Sequence, residues 1–348
     1  MAIEIFFKQA RFLCSNIYKE TFKEQAHVST AMPVADVLDR LFNLPGILCI
    51  VYSYTSCQDA AMNKIRGIFS GPAVKVAVIQ LCILHNQTEK NLEAAVKLIH
   101  EAKLASPDIV CLPAAFATGL NFPSLKRDAQ TIDGPIVTTL RALAASLGIA
   151  LVFGLLERDG NDIYDAAVYI DESGTIAGSY RRNSIWDGER DYISRGDPAP
   201  LIDSKHGKIG LLVSYDVRFP EASRGYFTEN VDIIICVASL FHIYGFAVES
   251  LCRARAADNA CYFVFCSCVG ENGFAMLEYM GGSLIADGTV MKVDENRELD
   301  LLARAGQRQQ IVHADLLIRR KNKIGKELPY KADYLDNWQR PAHGELQA

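Results

Sequence analysis

The chain has 348 residues, half of them apolar and 22% charged, with a formal net charge of −5 at pH 7. That is enough for one large core or two modest ones, and its slight acidity argues against phosphate-backbone binding as the main task, since such surfaces need clustered Lys and Arg. An uncharged apolar run of about 18 residues, the length that spans a bilayer, does not occur; residues 44–54 come nearest and contain Pro45 and Gly46.

Residues 1–72 read as a helical N-terminal extension. In "IEIFFKQARFLCSNIYKETFKEQA" and "VADVLDRLF" the apolar residues recur at three- and four-residue spacing, without strand alternation. Glu4 and Lys8 interrupt the first apolar run, so it does not read as a secretory signal. Gly71-Pro72 marks a break. From Val74 strands and helices alternate. "VKVAVIQL" is a buried strand, and "TEKNLEAAVKLIHEAKLA" a helix with Leu92, Ala95, Val96 and Ile99 on one face. "DIVCLP" is the next strand; Pro135 then opens a helix that Gly148 closes. "IALVFGLLE", "DAAVYI", "KIGLLV", "VDIIICV", "CYFVFCSC" and "GSLIAD" are six more strands, and "AVESLCRARAADNA" is a helix between two of them. This alternation predicts an α/β protein with helices covering sheet faces.

The ten cysteines do not read as a disulfide set. Cys82, Cys111, Cys236, Cys266 and Cys268 sit in apolar strand-like runs, as small buried hydrophobes in a reducing, cytoplasmic compartment do. With no C-x-x-C, no metal is expected.

Five segments then fall in a telling order: "LPAAFATG" at 112–119, "GSYRRNSIWDGERDYISRGD", "GKIGLLVSYDVRFPEASR", "RARAADNACYFVFCSCVG" and "GGSLIADGTV". The series resembles the nitrilase, or carbon–nitrogen hydrolase, superfamily from residue 74 to about 340. In that family the first segment carries a general-base Glu, the second a catalytic Lys, and the third a nucleophilic Cys at a strand-to-helix elbow. Carried across, those three positions hold Ala114, Arg182 and Ser214. The His two residues after the family's Lys is Ser184 here, whereas Glu189 matches its second glutamate. Tyr215, Asp216, Arg218, Phe219, Pro220 and Glu221 match the elbow, where the resemblance implies that the Tyr215 amide is available to an oxyanion.

The family reaction needs a thiolate to attack an amide or nitrile carbon, a carboxylate to move protons and an ammonium beside the oxyanion. A serine hydroxyl needs a positioned base, and the methyl of Ala114 cannot move a proton. Arg182 keeps the charge but with a bulkier, planar group. A guanidinium without a partner in a closed site is costly, so Arg182 and Glu189 are expected within about 4 Å as an Arg–carboxylate pair. His242 follows the strand "IIICVASLF" and is a candidate pocket residue, although a lone His more often makes an ordinary hydrogen bond. Cys266 and Cys268 share a face by strand alternation and lack an evident base.

The resemblance implies a four-layer αββα sandwich over residues 73–325, with a C-terminal tail, 326–348, that spans a dimer. It implies pairing through helices flanking the elbow, as a homodimer or larger homo-oligomer, or as a hetero-oligomer with an active paralogue. No cofactor, nucleic acid or membrane is expected; a small-molecule ligand is. Three readings of function stay open: a non-catalytic binder or oligomer partner, a carbon–nitrogen hydrolase with residual or repurposed activity on a small amide, and a deliberately inactivated variant.

Overall fold

The computed structural model describes residues 73–198, 200–273, 275–289, 300–318 and 329–338. The expected helical extension, 1–72, lies outside the described residues.

Two six-stranded sheets form the body. The first is built from β1 (Val74–Gln80), β2 (Ile109–Cys111), β3 (Ala150–Asp159), β4 (Asp162–Ile170), β5 (Ile176–Arg181) and β14 (Gln310–Leu316), in the order β14-β1-β2-β3-β4-β5. The second is built from β6 (Leu201–Ser204), β7 (Gly207–Val213), β8 (Ile233–Val237), β9 (Tyr262–Cys266), β12 (Leu284–Asp287) and β13 (Leu301–Arg304), in the order β13-β12-β9-β8-β7-β6. A hairpin of β10 (Glu271–Asn272) and β11 (Leu277–Glu278) stands apart. Helices α1 (Thr88–Lys103) and α2 (Pro135–Leu147) cover the first sheet, and α3 (Pro220–Thr228) and α4 (Gly245–Asp258) the second. The order of layers is the expected αββα sandwich.

Side-chain alternation divides the core into three. Val76, Val78, Ile109 and Val152 face Ile209, Leu211, Val213, Ile233, Ile235 and Val264 between the sheets. Ala77, Ile79, Val110 and Leu151 point the other way, onto Ala95, Ile99, Val137 and Leu140 of α1 and α2. Leu212, Ile234, Phe263 and Phe265 pack outward against Val248, Cys252 and Ala256 of α4. Strands buried on both faces read as unbroken apolar runs, which is why they were legible in sequence.

The helix ends follow local chemistry. Pro135 occupies the first turn of α2, and Gly148 ends it at φ +61°. On α1 the expected face is corrected: Asn91, Ala95, Leu98, Ile99 and Ala102 are buried, while Leu92 and Val96 are half-buried. Asn91 takes the inner place because its amide bonds Leu84 N, Leu84 O and Ala117 O at 2.8–2.9 Å. The shared face expected for Cys266 and Cys268 is also corrected. β9 ends at Cys266, so Cys266 stays between the sheets and Cys268 joins the core beneath α1 and α2.

Gly154 sets how closely the first sheet approaches the loop after β2. A Cβ there would overlap the Ala114 Cα and lie 2.7 Å from the Ala115 nitrogen, both backbone atoms that cannot swing aside. The contact is held by a hydrogen bond from Gly154 N to Pro113 O, 3.1 Å. Gly154→Ala is therefore expected to destabilise the protein by about 1–3 kcal/mol or more through overpacking, read as a lower urea midpoint at unchanged slope. An unchanged midpoint would show that this approach is not tight.

Candidate functional site

The site lies between the sheets at one end of the strands, and register places its members. Ala114, wholly buried, touches Gly154, which pairs with Ala167, which in turn pairs with Tyr180. Two residues along, Leu156 pairs with Asp165, and Arg182 N donates to Asp165 O at 2.9 Å. Asp165 therefore shares the inward face of Ala167 and Tyr169.

Arg182 is 2% exposed. Its Nη2 lies 2.8 Å from Glu189 Oε2, so the pair expected from sequence is present. Its Nε lies 3.3 Å from Asp165 Oδ2, a partner that the sequence reasoning missed. Burial disfavours the charged guanidinium, but Asp165, Glu189 and Asp216 outweigh it and hold its pKa above the ordinary value. Glu189 sits in a 3-10 turn, Asp187–Glu189, where its carboxylate also accepts Trp186 N at 3.3 Å.

Ser214 begins a second 3-10 turn, Ser214–Arg218, directly after β7. Its φ is +45°, a left-handed value that a non-glycine residue adopts only when its surroundings impose it. Two bonds flank it. Asp216 Oδ2 accepts the amide of Val213 at 3.1 Å, and Ser214 Oγ accepts the amide of Ser239 at 3.2 Å. Asp216 also accepts Tyr180 OH at 3.0 Å and Ser184 N at 3.0 Å, so it ties the elbow to the segment that carries Arg182. Burial pushes the Asp216 carboxyl up, against the pull of these donors and of Arg182.

One sequence candidate falls elsewhere. His242 is exposed, with Nδ1 3.2 Å from Glu278 O on β11, and it does not join the buried group. The chain leaves β8 at Val237 and runs out to a bridge between Phe241 and Tyr279, which carries His242 away. Tyr215 is half-buried, and its ring packs edge-on against Phe219 with centroids 5.1 Å apart.

A cavity of about 580 Å³ opens beside this group, lined by Tyr180, Ser184, Phe219, Glu221, Tyr226 and Glu229 among others. The space between residues 115–118 and 154–156 admits no water-sized molecule. Among the described residues no group of three or more His, Cys, Asp or Glu has metal-site geometry, and no helix is long and apolar enough to cross a membrane.

The profile described as Carbon-nitrogen hydrolase matches residues 75–310. The chain is 33% identical over 218 residues to a nitrilase of Pyrococcus abyssi, covering 61% of this chain and 81% of that one. It is 26% identical over 264 residues to 2-oxoglutaramate amidase of Bacillus subtilis, covering 73% and 95%. In fold it is similar to a CN-hydrolase superfamily protein of Xanthomonas campestris, with a TM-score of 0.68 and 21% identity over 76% of this chain and 97% of that one. The paired sheets, the strained elbow at Ser214 and the matched span from residue 75 to 310 agree, and the chain belongs to the carbon–nitrogen hydrolase family.

Proposed function

We propose that this family member does not hydrolyse carbon–nitrogen bonds by a thiolate mechanism and works without turnover, as a binder or as a partner in an oligomer. The observation that carries the reading is the state of Arg182, 2% exposed and flanked by Asp165 and Glu189. A cation held between the Glu189 carboxylate and the Asp165 carboxyl in a closed space is poorly placed to meet a developing oxyanion. Ser214 and Ala114 stand where the family has its nucleophile and base, and a hydroxyl without a base is a weak nucleophile. Substitute thiols are no better, because burial pushes the pKa of Cys266 and of Cys268 well up and keeps both protonated. The test is ammonia release from small amides and nitriles, compared with a variant that restores Glu, Lys and Cys at the three positions.

A second reading, a repurposed amidase, is favoured by two observations. Ser214 keeps the strained elbow, and Asp165 has a pKa pushed up to about 7 by burial, the range that suits a general base at neutral pH. Under this reading any ammonia release disappears in Asp165→Asn.

The partner in the first reading is a second copy or a paralogue, joined through α3 and α4. The described part of the tail, α5 (Tyr330–Trp338), lies on α3. Tyr330 OH donates to Asp258 O at 3.1 Å, and the Arg224 guanidinium stands 4.0 Å from the Tyr334 ring centre and 4.4 Å from that of Phe227. A dimer or larger assembly is expected by size-exclusion with light scattering; a sharp monomer peak at micromolar concentration would contradict it. The seven described cysteines are all free thiols, which fits a reducing compartment.

A further inference from the structure

We infer that the buried group around Arg182 is a proton-binding site, in which Asp165 carries a hydrogen at neutral pH and releases it in weakly alkaline solution. The inference shares the Arg182 group with the proposed loss of hydrolysis, but it concerns only where the proton sits and is tested without any measure of turnover. It starts from a count of charges. Among the described residues Arg182 is the one cation paired into this space, and the carboxylates of Asp165, Glu189 and Asp216 surround it; Arg182 is 2% exposed, Asp165 and Asp216 0%, and Glu189 7%. Three ionised carboxylates would leave two uncompensated negative charges in a closed space. Buried groups avoid such a charge by taking up a proton.

The hydrogen bonds show which carboxylate takes it. Asp216 receives three donors, from Val213 N, Tyr180 OH and Ser184 N. Glu189 receives Trp186 N and the closer approach of Arg182, and it lies at the rim of the group. Asp165 receives no aligned hydrogen bond on either oxygen from the described residues, only the approach of Arg182 Nε at 3.3 Å. It has the least to hold a negative charge and, like Asp216, is wholly buried. The other titratable groups that act on it or feel it, Tyr279 and Cys236, are themselves pushed up by burial and bring no positive charge. The same balance places Asp165 near neutrality, its pKa pushed up to about 7 by burial, against the pull of Arg182 and with the support of Glu189 and Asp216.

The linkage has a definite sign. A carboxyl whose folded pKa lies above its unfolded value makes the folded state bind more protons. Its stabilising effect is complete below the unfolded range, near pH 4, and is lost as pH rises through about 7. An ordinary ionised partner of Arg182 would do the reverse, stabilising at neutral pH and failing in acid. The two cases predict opposite behaviour for Asp165→Asn, which keeps the shape and cannot ionise.

The experiment compares the melting temperature of the full chain with that of Asp165→Asn from pH 4.5 to 8.5. The variant is expected to lie close to the native protein at pH 4.5, to pull ahead as pH rises towards 7, and to melt several degrees higher at pH 8.5. In parallel, an infrared difference spectrum between the two proteins should show a protonated-carboxyl band at pH 6 that fades by pH 8.5. A variant that melts lower at pH 7–8.5 and converges only in acid, or a spectrum without that band, would overturn the inference. If Asp165→Asn fails to fold, the band in the native protein, followed against pH with Glu189→Gln as control, decides the matter alone: its absence at pH 6 refutes the proposal.

Discussion

Arg182→Ala is expected to be the most damaging single substitution in the described core, costing about 3–5 kcal/mol of stability. The loss is not the worth of the ion pairs, which buried charges largely spend on desolvation. It is the cost of leaving the carboxylates of Glu189 and Asp216 buried without a cation, together with the cavity that a side chain 2% exposed would vacate. Arg182→Lys should lose less than the alanine variant yet remain below the native protein. An ammonium keeps the charge but cannot span two carboxylates as the Nε and Nη2 of a guanidinium do. Urea denaturation at pH 7 reads both. A loss below about 1 kcal/mol for Arg182→Ala would mean that the group is open to water and the closed-site account is wrong.

The second large effect is a gain. Ala114→Glu, Arg182→Lys and Ser214→Cys together supply the Glu, Lys and Cys that the proposed reading assigns to these positions, but they put a fourth carboxylate beside a single cation. Asp165→Asn is therefore part of the design. The quadruple variant is expected to release ammonia from a small aliphatic amide. The matching variant that keeps Ala114 and carries only the other three changes should be slower by about 10²–10⁴-fold, the usual worth of a general base. The triple variant that keeps Asp165 should be less stable than the quadruple one, because the added carboxylate has no second cation to meet.

Much of this molecule was legible in its residues, for definite reasons. Strands buried on both faces, such as Ile233–Val237 and Tyr262–Cys266, appear as continuous β-branched and aromatic runs, and they locate themselves. The edge strands β5, β6 and β13 are short and mixed in burial, and neither periodicity nor composition singled them out. The Arg182–Glu189 pair followed from charge together with the motif resemblance that put Glu189 nearby, since a buried guanidinium must find a carboxylate. Asp165 was missed because a charged residue beside Tyr164, at the start of "DAAVYI", reads as an exposed strand end. The signal was there all the same: Asp165, Ala167 and Tyr169 alternate onto one face, and the last two are core residues. His242 failed for the opposite reason. Nearness in sequence to the end of β8 says nothing about direction, and the chain turns outward to pair Phe241 with Tyr279. Asp216 was read as shaping the elbow, and its three bonds to Val213, Tyr180 and Ser184 agree with that role.

Ammonia release is the decisive measure of the proposed loss of thiolate chemistry. Purified native protein is to be incubated with aliphatic amides, nitriles and N-carbamoyl compounds beside Ser214→Ala and a protein-free control. The account predicts that all three release ammonia at the same background rate. Release by the native protein that disappears in Ser214→Ala would contradict it.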